Sequence, residues 1–180
     1  MFAEEFAVAD TCFLIDWAYW RRRNVLPGLF RAVFVPEEVL REVKSESTLE
    51  WVAENLATGS FALFTETQDV VGFARAIVER SRMLPIRGVD LPEAVCLAIG
   101  KMRGYIALAE NRGALMAADA LAELSGVRVW RSLDLISQAF RRGILGGDPE
   151  AVFMEYEEDT GHMFPREELR GVIDELRGKA

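Results

Sequence analysis

Short apolar runs alternate along the chain with segments of helical period. The runs lie at 6–9, 32–35, 61–64, 105–109 and 127–130. Between them, apolar residues recur every three or four positions, as in the segment 68–82, and this spacing is typical of amphipathic helices. Parallel strands need crossover connections of this length, so the pattern predicts an α/β fold with a central, mainly parallel sheet.

Capping patterns predict where several helices begin. Asp90-x-x-Glu93 and Ser47-x-x-Glu50 both have the spacing of a capping box, in which each side chain binds a free backbone N–H group. Ser132 is a suitable N-cap for a later helix that reaches about residue 142.

The pattern changes at Gly146-Gly147-Asp148-Pro149. Two short acidic helices are expected beyond this point, so the predicted division is a domain over 1–147 and a C-terminal extension over 148–180. The extension has apolar residues that need a surface to cover them, and we expect them to pack on their own domain or on a second copy in a homodimer. They are Val152, Phe153, Met154 and Phe164.

Charge is distributed unevenly between these two parts. The net charge is -8, and the extension contributes -6 of it from ten acids and four bases. The first 147 residues are therefore close to neutral, which weakens the objection that an acidic protein avoids polyanions. Their basic clusters suit either solvated helix ends or contacts with nucleic acid. These are Arg21-Arg22-Arg23, Arg80 with Arg82, and Arg141-Arg142.

Several classes of function are disfavoured. No apolar run approaches the roughly 18 residues of a membrane span, and the N-terminal segment MFAEEF has acids where a signal peptide has bases, so a cytoplasmic location is expected. Cys12 and Cys96 have apolar neighbours and are predicted to be buried free thiols. His162 is the single histidine, which argues against histidine-based catalysis and His-ligated zinc. Enzymatic chemistry would have to come from carboxylates.

Two acids directly follow predicted core strands. Asp10 comes after the run Phe6–Ala9, and Glu110 comes after the run 105–109. In open parallel sheets, ligands bind beyond the carboxyl ends of the strands at a topological switch point, so both carboxylates should project from one edge. Glu42 and Glu93 lie on helices that could reach the same place. Carboxylates gathered in one cleft repel each other unless a cation neutralises them, and oxygen ligands suit Mg²⁺ or Mn²⁺. Such an ion can activate water for attack on a phosphodiester.

Each acid also has a purely structural interpretation. Asp10 could cap the helix that follows it. Glu42 could be a solvated surface residue, because helical spacing does not separate it from Glu37. Glu93 fits the third position of the capping box with Asp90, and Glu110 could cap the helix that begins near residue 112.

Five segments, taken in order, resemble the PIN-domain family, which includes the VapC-type toxin ribonucleases and archaeal relatives. The resemblance covers about residues 5 to 145. The segments are AVADTCFLID, VPEEVLREV, DLPEAVCLAIG, YIALAENRGALMAADAL and VRVWRSLDLI. It implies a three-layer α/β/α fold with a central parallel sheet, and an acidic cluster that binds Mg²⁺ or Mn²⁺ and cuts RNA.

For this chain, the resemblance implies four catalytic acids at the metal, namely Asp10, Glu42, Glu93 and Glu110. It assigns direct metal ligation to Asp10, Glu93 and Glu110. It also implies that Thr11 and Asn111 orient water or ligands. The pair Glu110-Asn111 departs from the family pattern, which often has Asp followed closely by a second acid.

The expected function is therefore a metal-dependent endoribonuclease. Two alternatives remain open at this point. One is a toxin that is held inactive by an antitoxin-like partner protein. The other is a catalytically degenerate PIN fold that serves as a binding or scaffold protein, which Asn111 and the net acidity favour.

Overall fold

A computed structural model describes residues 5–178 of the chain. Five strands form one sheet: β1 (Phe6–Ala9), β2 (Ala32–Pro36), β3 (Phe61–Phe64), β4 (Ile106–Leu108) and β5 (Val129–Trp130). The helices of the first part are α1 (Thr11–Tyr19), α2 (Leu26–Leu29), α3 (Glu37–Glu42), α4 (Glu46–Thr58), α5 (Gln68–Met83) and α6 (Leu91–Arg103). Those of the second part are α7 (Arg112–Ala120), α8 (Ser132–Arg141), α9 (Pro149–Thr160) and α10 (Arg166–Gly178). Short 3-10 turns occupy Arg23–Val25 and Ala122–Leu124.

All strand pairs are parallel, and the strand order is β3-β2-β1-β4-β5. The chain therefore builds outward from β1 in one direction and then returns to add β4 and β5 on the other side. The topological switch point lies between β1 and β4. The backbone N–H of Asp10 donates to the carbonyl oxygen of Leu108 at 3.0 Å, which aligns the carboxyl ends of these two strands. The predicted α/β/α fold with a parallel sheet and a helical C-terminal region is confirmed.

The two central strands and α6 form the middle of the core. Every residue of β4, and every residue of β1 after Phe6, is completely buried. The α6 residues from Pro92 to Gly100 are also buried, so this helix is covered on all sides. Gly100 allows the close approach, because a Cβ there would lie 3.2 Å from the carbonyl oxygen of Tyr105.

Three local predictions need correction. The N-cap of α4 lies two residues before the predicted one, because the Ser45 hydroxyl, and not that of Ser47, accepts from the backbone N–H of Thr48. Ser132 is the first residue of α8 and not its N-cap, which leaves its hydroxyl free to bind other side chains. Cys12 is exposed although its sequence neighbours are apolar, whereas Cys96 is buried as predicted.

The C-terminal helices pack against the rest of the same chain. Phe153 and Tyr156 of α9 are completely buried and belong to the same apolar core as the residues around the sheet. Arg21 binds Asp159 of α9 at 2.6 Å, and Arg22 binds Glu155 at 2.8 Å. Two arginines that could have contacted nucleic acid therefore fix the extension. The division of the chain at residue 147 and the homodimer stay predictions.

No helix within residues 5–178 is both long enough and apolar enough to cross a membrane.

Candidate metal centre

Asp10 lies at the carboxyl end of β1 and caps α1. Its Oδ1 accepts from the backbone N–H of Phe13 at 2.7 Å, so the structural role considered for this residue is real. Its Oδ2 is buried and has no hydrogen-bond partner among the described residues. The residue is only 1% exposed. One oxygen therefore holds the helix while the other remains available to a ligand.

Glu93 has a similar division of roles at the start of α6. The capping box is confirmed: Asp90 accepts from the backbone N–H of Glu93 at 3.0 Å, and Glu93 Oε2 accepts from that of Asp90 at 3.2 Å. Glu93 Oε1 is buried without a partner within residues 5–178. The capping box fixes the side chain within reach of Asn111, whose side chain lowers the pKa of Glu93.

Glu110 follows β4 but does not cap α7, because the Asn111 side chain does so by accepting from Gly113 N–H at 3.0 Å. Glu110 Oε1 instead accepts from the Ser132 backbone N–H at 2.8 Å, at the start of α8, and also from the Ser132 hydroxyl. That hydroxyl in turn lies 2.6 Å from the Tyr156 hydroxyl. In the part of the chain that the structure describes, Glu110 Oε2 has no hydrogen-bond partner.

The three carboxylates interact electrostatically. Burial raises the pKa of Asp10 well above its usual range, and the negative charges of Glu93, Glu110 and Asp90 raise it further. Burial also raises the pKa of Glu93, where Asp90 adds to the effect and the Asn111 side chain opposes it. The pKa of Glu110 is raised by burial and lowered in part by Ser132 and His162. A cation at this place would relieve both the mutual repulsion and the loss of hydration.

Glu42 and Thr11 lie at the entrance to this group. The Thr11 hydroxyl donates to Glu42 Oε2 at 3.2 Å, and Glu42 is exposed. Both line a cavity of about 20 Å³ together with Asp10 and Glu93, a volume that suits a single water molecule or ion. The other lining residues are Cys12, Asp90 and Pro92. Glu110 lines a different cavity of about 90 Å³, so the four predicted acids do not share one cavity. The negative charge of Glu110 nevertheless acts on Asp10.

Among residues 5–178, no three Asp, Glu, His or Cys side chains are arranged closely enough to form a complete metal-binding group. The unpartnered oxygens of Asp10, Glu93 and Glu110 nevertheless fit a hard divalent cation. Mg²⁺ is commonly held by one or two protein carboxylates, with water and substrate phosphates as its remaining ligands. The residues present therefore suit an ion whose coordination is completed by water and substrate.

Sequence reasoning missed three residues at this edge of the sheet. Asp90 was recognised only as a cap, although its charge acts on both Asp10 and Glu93. Asp16 and His162 were not considered for the site. The His162 Nε2 lies 3.4 Å from Glu110 Oε2, and its Nδ1 lies 3.5 Å from Asp16 Oδ2. Asp16 lies six residues after Asp10, a spacing that does not place two residues on one face of a helix, and no local signal links His162 to this site.

Neither known protein families nor curated proteins provide a match to this chain. Its function has to be inferred from its own residues.

Proposed function

We propose that the protein is a metal-dependent endoribonuclease of the PIN-domain type, which hydrolyses RNA phosphodiesters. One observation carries the proposal. Three buried carboxylates, Asp10, Glu93 and Glu110, each keep one oxygen without a hydrogen-bond partner among the described residues, at the switch point of a parallel sheet. A protein gains no stability from such oxygens, and perturbed carboxylates in a cleft are typical of functional sites.

Each residue has a defined part in this proposal. Asp10, Glu93 and Glu110 would hold Mg²⁺ or Mn²⁺, which when bound polarises the phosphodiester and activates water. Thr11 keeps Glu42 at the cavity entrance through its 3.2 Å hydrogen bond. There, Glu42 is placed to accept a proton from the attacking water.

Asn111 lies next to this group and lowers the pKa of Glu93, which favours the ionised form that a metal requires. Its Oδ1 is engaged in capping α7, so the side chain is held in place. Asn111 therefore supports Glu93 without adding a negative charge.

Two exposed arginines lie near the carboxylates at this edge of the sheet and are suited to bind RNA phosphates. The charge of Arg87 acts on Glu93, and Arg112 lines the same cavity as Glu110. The loop that carries Arg87 lies against the start of α7, since a Cβ at Gly113 would be 3.4 Å from the Arg87 carbonyl oxygen. Arginines beside a metal would neutralise the backbone of a bound strand.

The PIN-domain type in this proposal comes from the resemblance of the quoted segments, and these segments form strands and helices around Asp10, Glu93 and Glu110. A cytoplasmic location belongs to the same proposal, since RNA is available there and both cysteines are free thiols. A toxin role with an antitoxin-like partner remains a prediction, as does the homodimer.

A non-catalytic binding function is the second candidate. Two observations favour it: within residues 5–178 no three potential ligands form a complete metal-binding group, and Asn111 stands where the family pattern has a second acid. In this case the edge of the sheet would bind RNA or protein without cutting it.

Cleavage of a mixed RNA pool with Mn²⁺ would test the enzymatic proposal, with chelator as the blank. We expect cleavage by the wild type to stop in chelator. Cleavage by Asp10→Asn should be at least a hundredfold slower, because the metal ligand at this position loses its charge. Asn111→Asp should tighten Mn²⁺ binding about 3- to 10-fold, because it adds a charge to the site. Asp69→Asn is the matched control, since Asp69 is an exposed acid in the first turn of α5.

Three outcomes would contradict the proposal in different ways. Chelator-resistant cleavage by all variants would indicate a contaminating nuclease. Absence of cleavage by every variant in millimolar Mn²⁺ would favour the binding function. Cleavage that survives Asp10→Asn but stops in chelator would show that a metal site exists and that its residues were chosen wrongly.

A further inference from the structure

The C-terminal extension is connected to Glu110 by a chain of buried hydrogen bonds. The Ser132 backbone N–H donates to Glu110 Oε1 at 2.8 Å, and the Ser132 hydroxyl donates to the same oxygen. The Tyr156 hydroxyl of α9 lies 2.6 Å from the Ser132 hydroxyl oxygen, to which the Trp17 indole N–H of α1 donates at 2.7 Å. Groups from three helices therefore meet at one serine, directly behind a proposed metal ligand.

The number of donors and acceptors fixes the direction of each hydrogen bond in this network. A serine hydroxyl has one hydrogen to donate and two lone pairs that accept. An ionised carboxylate only accepts, so the hydrogen of Ser132 goes to Glu110. The Trp17 indole only donates, and it occupies one lone pair of Ser132. The other lone pair is left for Tyr156, whose hydroxyl must therefore be the donor.

Burial keeps water from taking the place of these groups. Trp17, Ser132 and Tyr156 are all completely buried. Burial and the negative charge of Glu110 raise the pKa of Tyr156 well above its usual range, so the phenol keeps the proton that it donates. Hydrogen bonds in series polarise one another in a protein interior. The two bonds that Ser132 accepts therefore strengthen the one that it donates to Glu110.

Aromatic packing holds both donors in place. The Tyr156 ring stacks on Phe164 with 5.4 Å between the ring centroids, and it packs edge-on against Trp20 at 5.3 Å. The Trp17 ring stacks on Phe13 at 5.4 Å. Side chains that are locked by packing in this way present their polar atoms in a defined geometry.

Glu110 depends on this network for its orientation. Its side chain is 6% exposed, and its Oε1 accepts both bonds from Ser132. Its Oε2 has no hydrogen-bond partner in the described part of the chain, 5–178, although His162 Nε2 lies 3.4 Å away. The bonds from Ser132 also lower the pKa of Glu110 against the effect of burial. One oxygen is therefore fixed, while the other is left to face a cation.

We propose that Tyr156 is a positioning residue, whose hydroxyl acts through Ser132 to hold Glu110 in the orientation that binds the metal. Carboxylates that bind metals are themselves held by hydrogen bonds from residues behind them, and these bonds tune metal affinity. The inference rests on the proposed function, because Glu110 is a ligand of that same site. It makes the C-terminal extension a part of the metal site's support.

Calorimetric titration of the full chain with Mn²⁺ measures each step of this network. Ser132→Ala removes the direct partner of Glu110 and should weaken Mn²⁺ binding about tenfold or more. Tyr156→Phe keeps the ring and removes only the donor, so Mn²⁺ affinity should fall about 2- to 10-fold, the equivalent of one neutral hydrogen bond. RNA cleavage by Tyr156→Phe should recover at saturating Mn²⁺, because the metal ligands are all retained.

A double variant distinguishes positioning from a general effect on packing. If Tyr156 acts through Ser132, adding Tyr156→Phe to Ser132→Ala should cause no further loss of Mn²⁺ affinity. Two matched controls remove a hydroxyl elsewhere and should leave Mn²⁺ affinity unchanged. Ser137→Ala alters a buried serine on the same helix, and Tyr19→Phe alters an exposed tyrosine.

A second measurement needs no metal. In chelator, the nuclear magnetic resonance signal of the Trp17 indole N–H should shift in Tyr156→Phe and shift further in Ser132→Ala, because its acceptor first loses a donor and then disappears. Melting in chelator checks that each variant is folded. Ser132→Cys, which keeps a weak donor, provides a second replacement, and its Mn²⁺ affinity should lie between those of wild type and Ser132→Ala.

The outcomes separate this inference from the proposed function. Unchanged Mn²⁺ affinity in Tyr156→Phe, or losses that add up in the double variant, would overturn the inference; cleavage lost in Asp10→Asn would still support the ribonuclease. Non-additive losses of Mn²⁺ affinity with no RNA cleavage by wild type would keep the inference and reject the ribonuclease. Absence of Mn²⁺ binding by wild type would overturn both.

Discussion

Asp10 uses its two carboxylate oxygens for different purposes. Oδ1 caps α1, and Oδ2 is buried near Glu93 and Glu110 without a hydrogen-bond partner among residues 5–178. The cap stabilises the fold, whereas the charge on the buried oxygen destabilises the metal-free molecule. A single residue thus combines a contribution to stability with a cost that a bound cation would offset.

We predict that Asp10→Asn stabilises the metal-free protein at pH 7, because burial and the neighbouring carboxylates raise the pKa of Asp10 and the variant places no charge there. Asparagine is as good an N-cap as aspartate, so α1 keeps its first hydrogen bond. Chemical unfolding in chelator measures the difference. Adding Mn²⁺ should stabilise the wild type and leave the variant unchanged.

The raised carboxyl pKa values also predict how the stability of the metal-free protein changes with pH. The pKa values of Asp10, Glu93 and Glu110 are all raised in the folded state. The stability that they contribute is therefore fully present below the unfolded carboxyl pKa, about 4, and is lost as the pH rises through the folded values. The advantage of Asp10→Asn in chelator should grow from pH 4.5 towards pH 8. An advantage that is constant or shrinks over this range would show that the Asp10 pKa is not raised.

At the scale of single elements, α4 shows how neighbouring polar residues compete for one role. Ser45 and Ser47 are both N-cap candidates, and Ser47-x-x-Glu50 has the better sequence pattern. The Ser45 hydroxyl nevertheless accepts from the Thr48 N–H at 3.3 Å, and it also lies 3.2 Å from the Tyr19 hydroxyl of α1. The serine that caps α4 is thus the one whose hydroxyl also contacts another helix.

We expect Ser45→Ala to destabilise the protein by about 1 kcal/mol, the usual effect of losing an N-cap side chain. Ser47→Ala should cost less than half as much, because Ser47 only supports Ser45 through a hydroxyl contact of 3.0 Å. Urea unfolding of the two variants side by side compares them. A larger loss of stability in Ser47→Ala would show that Ser47, the residue predicted from sequence, is the N-cap.

At the scale of the whole molecule, the C-terminal extension covers apolar surface of the first 147 residues. Trp20 of the segment after α1 is completely buried, and its ring centroid lies 5.3 Å from that of Tyr156. Its indole N–H donates to Glu155 at 3.1 Å. These contacts are internal, so Phe153 and Phe164 need no second copy to cover them.

Adjacent residues of α9 provide a matched test of this packing. Phe153 is completely buried and Met154 is 51% exposed. We predict that Phe153→Ala lowers the free energy of unfolding by about 3–5 kcal/mol, whereas Met154→Ala changes it by about 0.5 kcal/mol or less. Both should unfold in one transition. Two separate transitions in Phe153→Ala would mean that the extension folds as an independent unit.

Features that depend on local spacing could be predicted from the order of residues alone. Apolar runs and helical periods predicted the parallel α/β sheet, and the acids after β1 and β4 could be assigned to one edge because parallel strands end on the same side. The capping box of Asp90 and Glu93 was also readable, since its hydrogen bonds connect residues three apart.

The distant groups that meet at that edge depend on how the helices pack in three dimensions. Ser132 holds Glu110 from 22 positions along the chain, and the Tyr156 hydroxyl supports Ser132 from a further 24. His162 reaches Glu110 because α9 packs across α1, a contact set by complementary apolar surfaces and not by any local pattern. Side-chain packing between elements has no fixed sequence spacing, and so the residues it brings together could not be predicted from the order of the chain.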